Sequence, residues 1–324
     1  MKLLIGQFCL FVVATIISIL LLIQFADYFI NKKSSFKISK ETKILILGNS
    51  HPECAFNDSL ISNVSNFASS GESSFYALYK LKKVIEQNNQ ITTVFIEFNN
   101  SQIVESEMNR WLWDESFLSH RYLIYSPFLT LTDKFLLFKT SFNTIFNLLP
   151  ISLSNNLLKI VHHEYNYTNS ANPIGGYAYL KKENADSLLK HTDIEKKYDS
   201  FKNSREEISD FHIERLVNMV EYCNVHKIQL YLIRSPMPRF FPTLGNEEKF
   251  QRIRKLKFKN IEFLDFSKFP LNNNDVVDLE HLNFRGARKF SIWFNNINKM
   301  GLLEKSNKQE FINKQISELT NLTK

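Results

Sequence analysis

Cysteine is nearly absent. The three thiols in 324 residues, Cys9, Cys54 and Cys223, cannot build a disulfide framework. Cys9 lies in an apolar run without the small-residue context of a lipid-attachment site, and Cys54 and Cys223 read as free and buried rather than paired. A metal signature is lacking too: His162-His163-Glu164 has no histidine at helical spacing and no cysteine pair beside it, so it reads as a solvated loop, and no metal or cofactor is expected. The 40 Lys and Arg against 33 Asp and Glu give a net charge of +7, but the basic residues are dispersed. With no arginine-rich helix and no interleaving of basic and aromatic residues, a nucleic-acid partner is not expected. No internal repeat is evident. At 44% hydrophobic residues the chain can bury a full core, in one large domain or two small ones.

One long apolar run is present. From Phe8 to Ile23 no charge occurs and only Thr15 and Ser18 are polar; about 20 such residues are what a helix needs to cross about 30 Å of hydrocarbon. A signal peptide would carry a shorter apolar region and a small-x-small cleavage site, for which Phe25-Ala26-Asp27 is a poor match. Residues 1–30 therefore read as a retained single-pass anchor, and 31–42, polar and lysine-rich, as a tether. Lys32, Lys33, Lys37, Lys40 and Lys43 follow the span, against Lys2 and the α-amine before it, a count that would hold the body in the cytoplasm.

Beyond the tether, strand-like runs at 43–48, 64–68, 93–98, 228–234 and 261–266 alternate with helical patterns such as Phe75, Leu78, Leu81, Ile85 and Phe290, Trp293, Phe294, Ile297. This predicts an α/β domain over 43–303, a mostly parallel sheet with helices on both faces. Residues 101–205 break the rhythm. They are aromatic-rich from Trp111 to Phe146, then polar with Pro173-Ile174-Gly175-Gly176-Tyr177, and read as an inserted cap over the sheet edge. Asp133, Lys134 and Lys139 interrupt the stretch 123–153 against a second membrane span. Its aromatics suit a sugar-stacking groove, a docking face for a membrane partner, or a satellite core packed under the insertion. Residues 304–324 read as a polar tail, a frayed helix.

Two signatures carry chemistry. Ile44-Leu45-Ile46-Leu47-Gly48-Asn49-Ser50-His51 is an apolar strand ending abruptly in Gly-Asn-Ser, as would deliver Ser50 to the carboxyl edge of a parallel sheet. More than 200 residues later, Asp278-Leu279-Glu280-His281 sets a carboxylate three residues before a histidine. At that spacing the Asp can accept from one imidazole nitrogen while the other faces the serine. Between them lie Ser70-Gly71-Glu72-Ser73 after the second strand, whose glycine can present an amide to an oxyanion, and Asn99-Asn100 closing the third. His51 before Pro52 fits the first turn of a helix, and Arg234 and Arg239 after the fourth strand could meet an anionic substrate or be plain loop residues.

With its blocks in this order the sequence resembles the SGNH (GDSL-like) hydrolase superfamily, whose fold is a three-layer, flavodoxin-like α/β sheet. The resemblance implies Ser50 as nucleophile, His281 as base, Asp278 as its orienting acid, and an oxyanion hole from the Ser50 amide, Gly71 and either Asn99 or Asn100. The third block departs from the usual Gly-x-Asn-Asp: anchored on Ile96-Glu97-Phe98, it puts Asn99 on the glycine and Ser101 on the asparagine, so the loop is shifted or a donor is replaced. One amino-terminal anchor together with Asp-Leu-Glu-His-Leu-Asn-Phe-Arg-Gly-Ala-Arg-Lys-Phe is similar to bacterial envelope proteins that move or remove acyl groups on polysaccharides, often beside a membrane-bound O-acyltransferase. That implies an extracytoplasmic body, against the lysine count, acting as esterase or O-acyltransferase on acyl, chiefly acetyl, groups of an envelope polysaccharide. A non-catalytic glycan-binding or scaffold protein of the same fold is the rival reading.

Overall fold

The run 44–47 has no polar side chain, as a strand covered on both faces requires, and it forms β1 (Ile44–Leu47), buried throughout. The computed structural model describes residues 2–168, 174–181, 207–238 and 246–322; Arg239 and positions 182–205 of the insertion lie outside them. β2 (Val64–Asn66), β3 (Thr93–Glu97), β4 (Gln229–Arg234) and β5 (Phe263–Asp265) join β1 in a wholly parallel five-stranded sheet of order β2-β1-β3-β4-β5. The chain moves outward from β1 to β2 and then to β3 on its other side. This reversal opens a crevice at the carboxyl ends of β1 and β3.

Successive side chains of a strand point to opposite faces. On one face Ile44, Ile46, Phe95, Tyr231, Ile233 and Leu264 form a single buried cluster with Phe290, Trp293, Phe294 and Ile297 of a carboxyl-terminal helix (Phe284–Lys299). Each large side chain so buried contributes about 1.5–3 kcal/mol. On the other face Ile96 meets a pair of mutually packed helices, Ser74–Gln87 and Asp210–Val225. The expected three-layer α/β arrangement is present.

The described helices are numbered here in chain order: α1 (Lys2–Lys33), α2 (Ser50–Ala55), α3 (Ser74–Gln87), α4 (Glu105–Trp113), α5 (Glu115–Tyr125), α6 (Leu131–Thr140), α7 (Phe142–His162), α8 (Asp210–Val225), α9 (Glu247–Lys257), α10 (Phe284–Lys299) and α11 (Lys308–Leu322). They fall in two units. Lys37–Leu112 with Ile174–Lys324 carries the sheet, and Met1–Phe36 with Trp113–Pro173 is helical. The two ends of the insertion meet within the sheet unit, where Val104 bridges Ile208 and the Glu105 amide donates to the Glu207 carbonyl at 2.9 Å.

In the helical unit α7 packs against α1, α5 and α6. Asp27 of α1 is buried there, accepting from Lys134 Nζ at 2.6 Å and from Asn156 Nδ2 at 2.7 Å. Tyr122, Tyr125, Phe128 and Tyr167 are buried too, with the Phe36 ring stacked on Tyr167 at 5.0 Å. The aromatics of the insertion thus divide between a satellite core and an exposed set, Phe135, Phe142 and Phe146.

Two segments differ from expectation. Positions 31–42 are not a loose tether: α1 continues through Lys33, the Ser35 amide donates to the Tyr165 carbonyl, and Phe36 is buried. The polar tail is the expected helix, α11, but it is packed rather than frayed: Ile312 and Ile316 are buried in the main core, because four apolar residues (Phe311, Ile312, Ile316, Leu319) recur at helical spacing among the polar ones.

Candidate active site

The site is assembled where β1, β2 and β3 end. Gly48 takes φ +148°, and a Cβ there would lie 2.5 Å from Glu97 Cβ and 2.8 Å from Pro52 Cγ; only glycine lets the chain turn so tightly from β1 into α2. Asn49 Oδ1 caps that turn by accepting the His51 amide at 3.1 Å. Ser50 follows as the first residue of α2. After β2, Asn66 Nδ2 donates to the carbonyls of Pro52 and Phe56, tying α2 to the second loop. Gly71 sits in the turn closed by the Glu72 amide on the Ser69 carbonyl. Among the described residues, no acceptor takes the amides of Ser50 or Gly71.

The last block folds as a compact loop before α10. Val276 bridges Leu282, and Asn283 caps α10 through Oδ1 while its Nδ2 donates to the Asn274 and Val276 carbonyls. Asp278 Oδ1 accepts the amides of Glu280 and His281, both at 2.7 Å. Its Oδ2 lies 2.9 Å from His281 Nδ1, and His281 Nε2 lies 2.7 Å from Ser50 Oγ. A carboxylate only accepts, so Nδ1–H donates to Asp278 and Nε2 is left to accept from the Ser50 hydroxyl. Burial works against both charges, but the hydrogen bond and attraction between the two groups prevail: Asp278 is lowered and His281 raised from their ordinary values.

The third block does something else. Asn99 is fully buried. Its Oδ1 accepts from the amide and hydroxyl of Ser101, which fixes the amide orientation, and its Nδ2 donates to Glu97 Oε1 at 3.0 Å and His51 Nδ1 at 3.1 Å. Asn100 turns to the far side, its Nδ2 on Glu247 and its Oδ1 accepting from Arg234. Asn99 has no side-chain amide hydrogen left for an oxyanion, and Asn100 directs its Nδ2 to Glu247: Asn99 braces His51 and Asn100 braces β4 against α9. Of the expected oxyanion donors, the Ser50 and Gly71 amides remain.

Under Asn99 lies Glu97, a carboxylate that ends β3 (Thr-Val-Phe-Ile-Glu) and that sequence reasoning passed over. It accepts from Asn99 Nδ2 and from the amide and hydroxyl of Ser235. Burial, only partly opposed by those bonds, pushes its pKa up to about 7. Arg234 is also buried, its guanidinium engaged by Asp265, Glu247 and Asn100 and set over the Phe250 ring. It holds the fold rather than facing an anionic substrate. His162 and His163 are exposed at the end of α7, and among the described residues no group of three metal-ligating side chains exists.

An irregular strap, 174–181, borders the site. Gly175 at φ +125° lets it press on β2's loop, where a Cβ would lie 2.4 Å from the Ala68 carbonyl oxygen. The Ala178 amide donates to the Glu53 carbonyl and the Phe284 amide to the Leu180 carbonyl. Exposed Tyr179 stacks on Phe284, centroids 5.1 Å apart.

A family model that carries no descriptive name matches residues 177–301, less than half of the chain. No curated protein matches. Among solved structures, the chain is similar to a candidate acylhydrolase from Bacteroides fragilis and to a GDSL-like lipase from Bacteroides thetaiotaomicron, each at 12% identity and a TM-score of 0.33 over 83% of this chain and 93% and 94% of theirs. Likeness of that degree assigns nothing to this chain, and the functional reading rests on the site itself.

Proposed function

We propose that this protein is a membrane-anchored serine esterase or O-acyltransferase acting on acyl groups of an envelope polysaccharide. The observation that carries the chemistry is the continuous hydrogen-bonded chain Ser50–His281–Asp278. Ser50 Oγ attacks the acyl carbonyl as its proton passes to His281 Nε2. The amides of Ser50 and Gly71 receive the developing oxyanion, each such donor being worth about 3 kcal/mol. Collapse of the tetrahedral intermediate breaks the ester C–O bond, and the leaving alcohol takes the proton from His281. Water then resolves the acyl-serine in hydrolysis, or a sugar hydroxyl in transfer; in both, His281 accepts the incoming proton and returns it to Ser50.

For the sugar, the support is the stacked Tyr179–Phe284 pair, Phe284 three residues after His281 and half-buried, Tyr179 exposed, a face of the kind that pyranose rings stack on. For the anchor, α1 is the one described helix long and apolar enough to cross a membrane, and Ile23, Ala26, Asp27 and Ile30 near its end are buried in the helical unit. A cleaved signal sequence would leave that unit without part of its interior. We place the body outside the cytoplasmic membrane, where the polysaccharide and any membrane-bound acyltransferase partner would meet it.

The test uses full-length protein in detergent. Wild type should cleave an activated acetyl ester and react with a fluorophosphonate probe, and Ser50→Ala should do neither while keeping its thermal midpoint. Equal turnover by both would leave the non-catalytic reading standing. Digestion of the body by an impermeant protease added to intact spheroplasts tests its placement; protection would return it to the cytoplasm and remove envelope glycans as substrates.

A further inference from the structure

The helical unit exposes a second apolar surface beyond α1. On α7, Phe142, Phe146, Leu157 and Val161 fall within about 100° of one another around the axis, and all four are exposed, Val161 by 69%. On α6, Leu131 and Phe135, four residues apart, are 68% and 65% exposed. A soluble surface rarely leaves so many large side chains together. From Leu131 to Val161 the charged residues are Asp133, which is buried, Lys134, which is paired with Asp27, and Lys139 and Lys159, of which Lys139 is exposed.

The neighbour of this surface says what covers it. Asp27 of α1 touches Asn156 of α7, and further on the Ser35 segment pairs with Asn166 in parallel, so α7 runs in the same direction as α1. Residues of α7 that precede Asn156 therefore extend toward the apolar, membrane-crossing part of α1; at about 1.5 Å per residue Phe146 stands about 15 Å along the axis from Asn156. α7 does not itself qualify as a span. An apolar stripe whose exposed charge, Lys139, is cationic and which runs toward the apolar part of a spanning helix is the composition of a surface seated in a lipid leaflet with anionic head groups.

We propose that the α6–α7 face is a second, non-spanning lipid contact, embedded in the same leaflet that α1 leaves. The proposal rests on the anchor reading of α1 but not on the chemistry at Ser50. Its consequence is that the helical unit is held by the bilayer at two places, and so cannot swing about α1 as a flexible stalk would allow.

Full-length protein is reconstituted in phosphatidylethanolamine–phosphatidylglycerol vesicles carrying an environment-sensitive fluorophore on one thiol at a time. Native Cys9 on α1 reports the anchor, Phe146→Cys (with Cys9→Ser) the proposed contact, and Val225→Cys (with Cys9→Ser), 78% exposed on the sheet unit, bulk water. Cys54 and Cys223 are buried. Lipid-borne nitroxide should quench the labels at Cys9 and Phe146→Cys by about twofold or more and aqueous iodide should not, with the reverse at Val225→Cys. Phe142→Cys repeats the measurement should Phe146→Cys not fold. If Cys9 is quenched by lipid but the α7 label only by iodide, the proposal fails while the anchor stands. An α7 label shielded from both quenchers means that protein covers the face, which also overturns it. Loss of lipid quenching at Cys9 sinks the anchor reading and this proposal together.

Discussion

The imidazole rings of His51 and His281 lie stacked, 5.6 Å between centroids and 23° between planes, yet their surroundings drive them apart. Burial, reinforced by the neighbouring imidazole, lowers His51 to a pKa of about 3, while Asp278 raises His281. Two adjacent histidines are thereby assigned different charges at one pH. Because the Asn99 amide donates to His51 Nδ1, the His51 ring proton sits on Nε2.

A His51→Phe substitution keeps the stack and removes the acceptor, stranding a buried Asn99 donor. Urea unfolding should then show a loss of about 1–3 kcal/mol. The acid limb of the rate profile should not move, since His51 carries no charge above pH ~4, about one unit past its pKa; a displaced limb would show that the two rings titrate together.

His281 acts as a base only when neutral. Its pKa is raised above the ordinary 6.5, so kcat/KM should rise with pH through an inflection above that value. Asp278→Asn should bring the inflection down and cost on the order of 10³–10⁴ in rate by leaving the ring in the wrong tautomer. Steady-state rates on an acetyl ester across pH 5–9, a range of about two units on either side of neutral, measure both.

Glu97 makes folding stability fall with rising pH. Its folded pKa of about 7 exceeds the ordinary 4.5, so between those values the folded chain holds a proton that the unfolded chain has released, and stability declines as pH rises from 4.5 toward 7. Arg234 beside it moderates the slope. Glu97→Gln should flatten the dependence of the thermal midpoint over the same window; an unchanged slope would place the titration elsewhere.

Tyr179→Ala removes the exposed member of the aromatic pair while leaving Ser50, Asp278 and His281 in place. On an acetylated glycan KM should rise roughly fivefold, the equivalent of about 1 kcal/mol of lost stacking, with turnover of a small acetyl ester unchanged. Parallel loss on both substrates would show that the strap supports the site instead of binding sugar.

The parts of the site legible in the sequence were those whose geometry is local. Gly48-Asn49-Ser50 and Asp278-x-x-His281 each set their own spacing along the backbone, and strands as apolar as 44–47 admit few alternatives. Asn99 and Asn100 were legible as residues and not as roles, because which way an amide points is settled by Glu97, two residues before Asn99, and by His51, Arg234 and Glu247, brought there from three other places in the chain. Glu97 left a faint mark, a charge amid Thr-Val-Phe-Ile. In α11 the apolar period was diluted by ten polar residues to four apolar ones between Lys308 and Asn321, so Ile312 and Ile316 did not announce a buried face.

Protein chemists who clip α1 to obtain a soluble sample will be cutting into the interior. A chain begun near residue 35 lacks Ile23, Ala26, Asp27 and Ile30, and Lys134, Asn156 and their neighbours then surround a hole where a carboxylate stood. Stripping one member from such a buried pair costs about 3–5 kcal/mol, a large part of what holds most domains together. Detergent or nanodisc preparations of the whole chain, not truncation, are the route to a homogeneous sample.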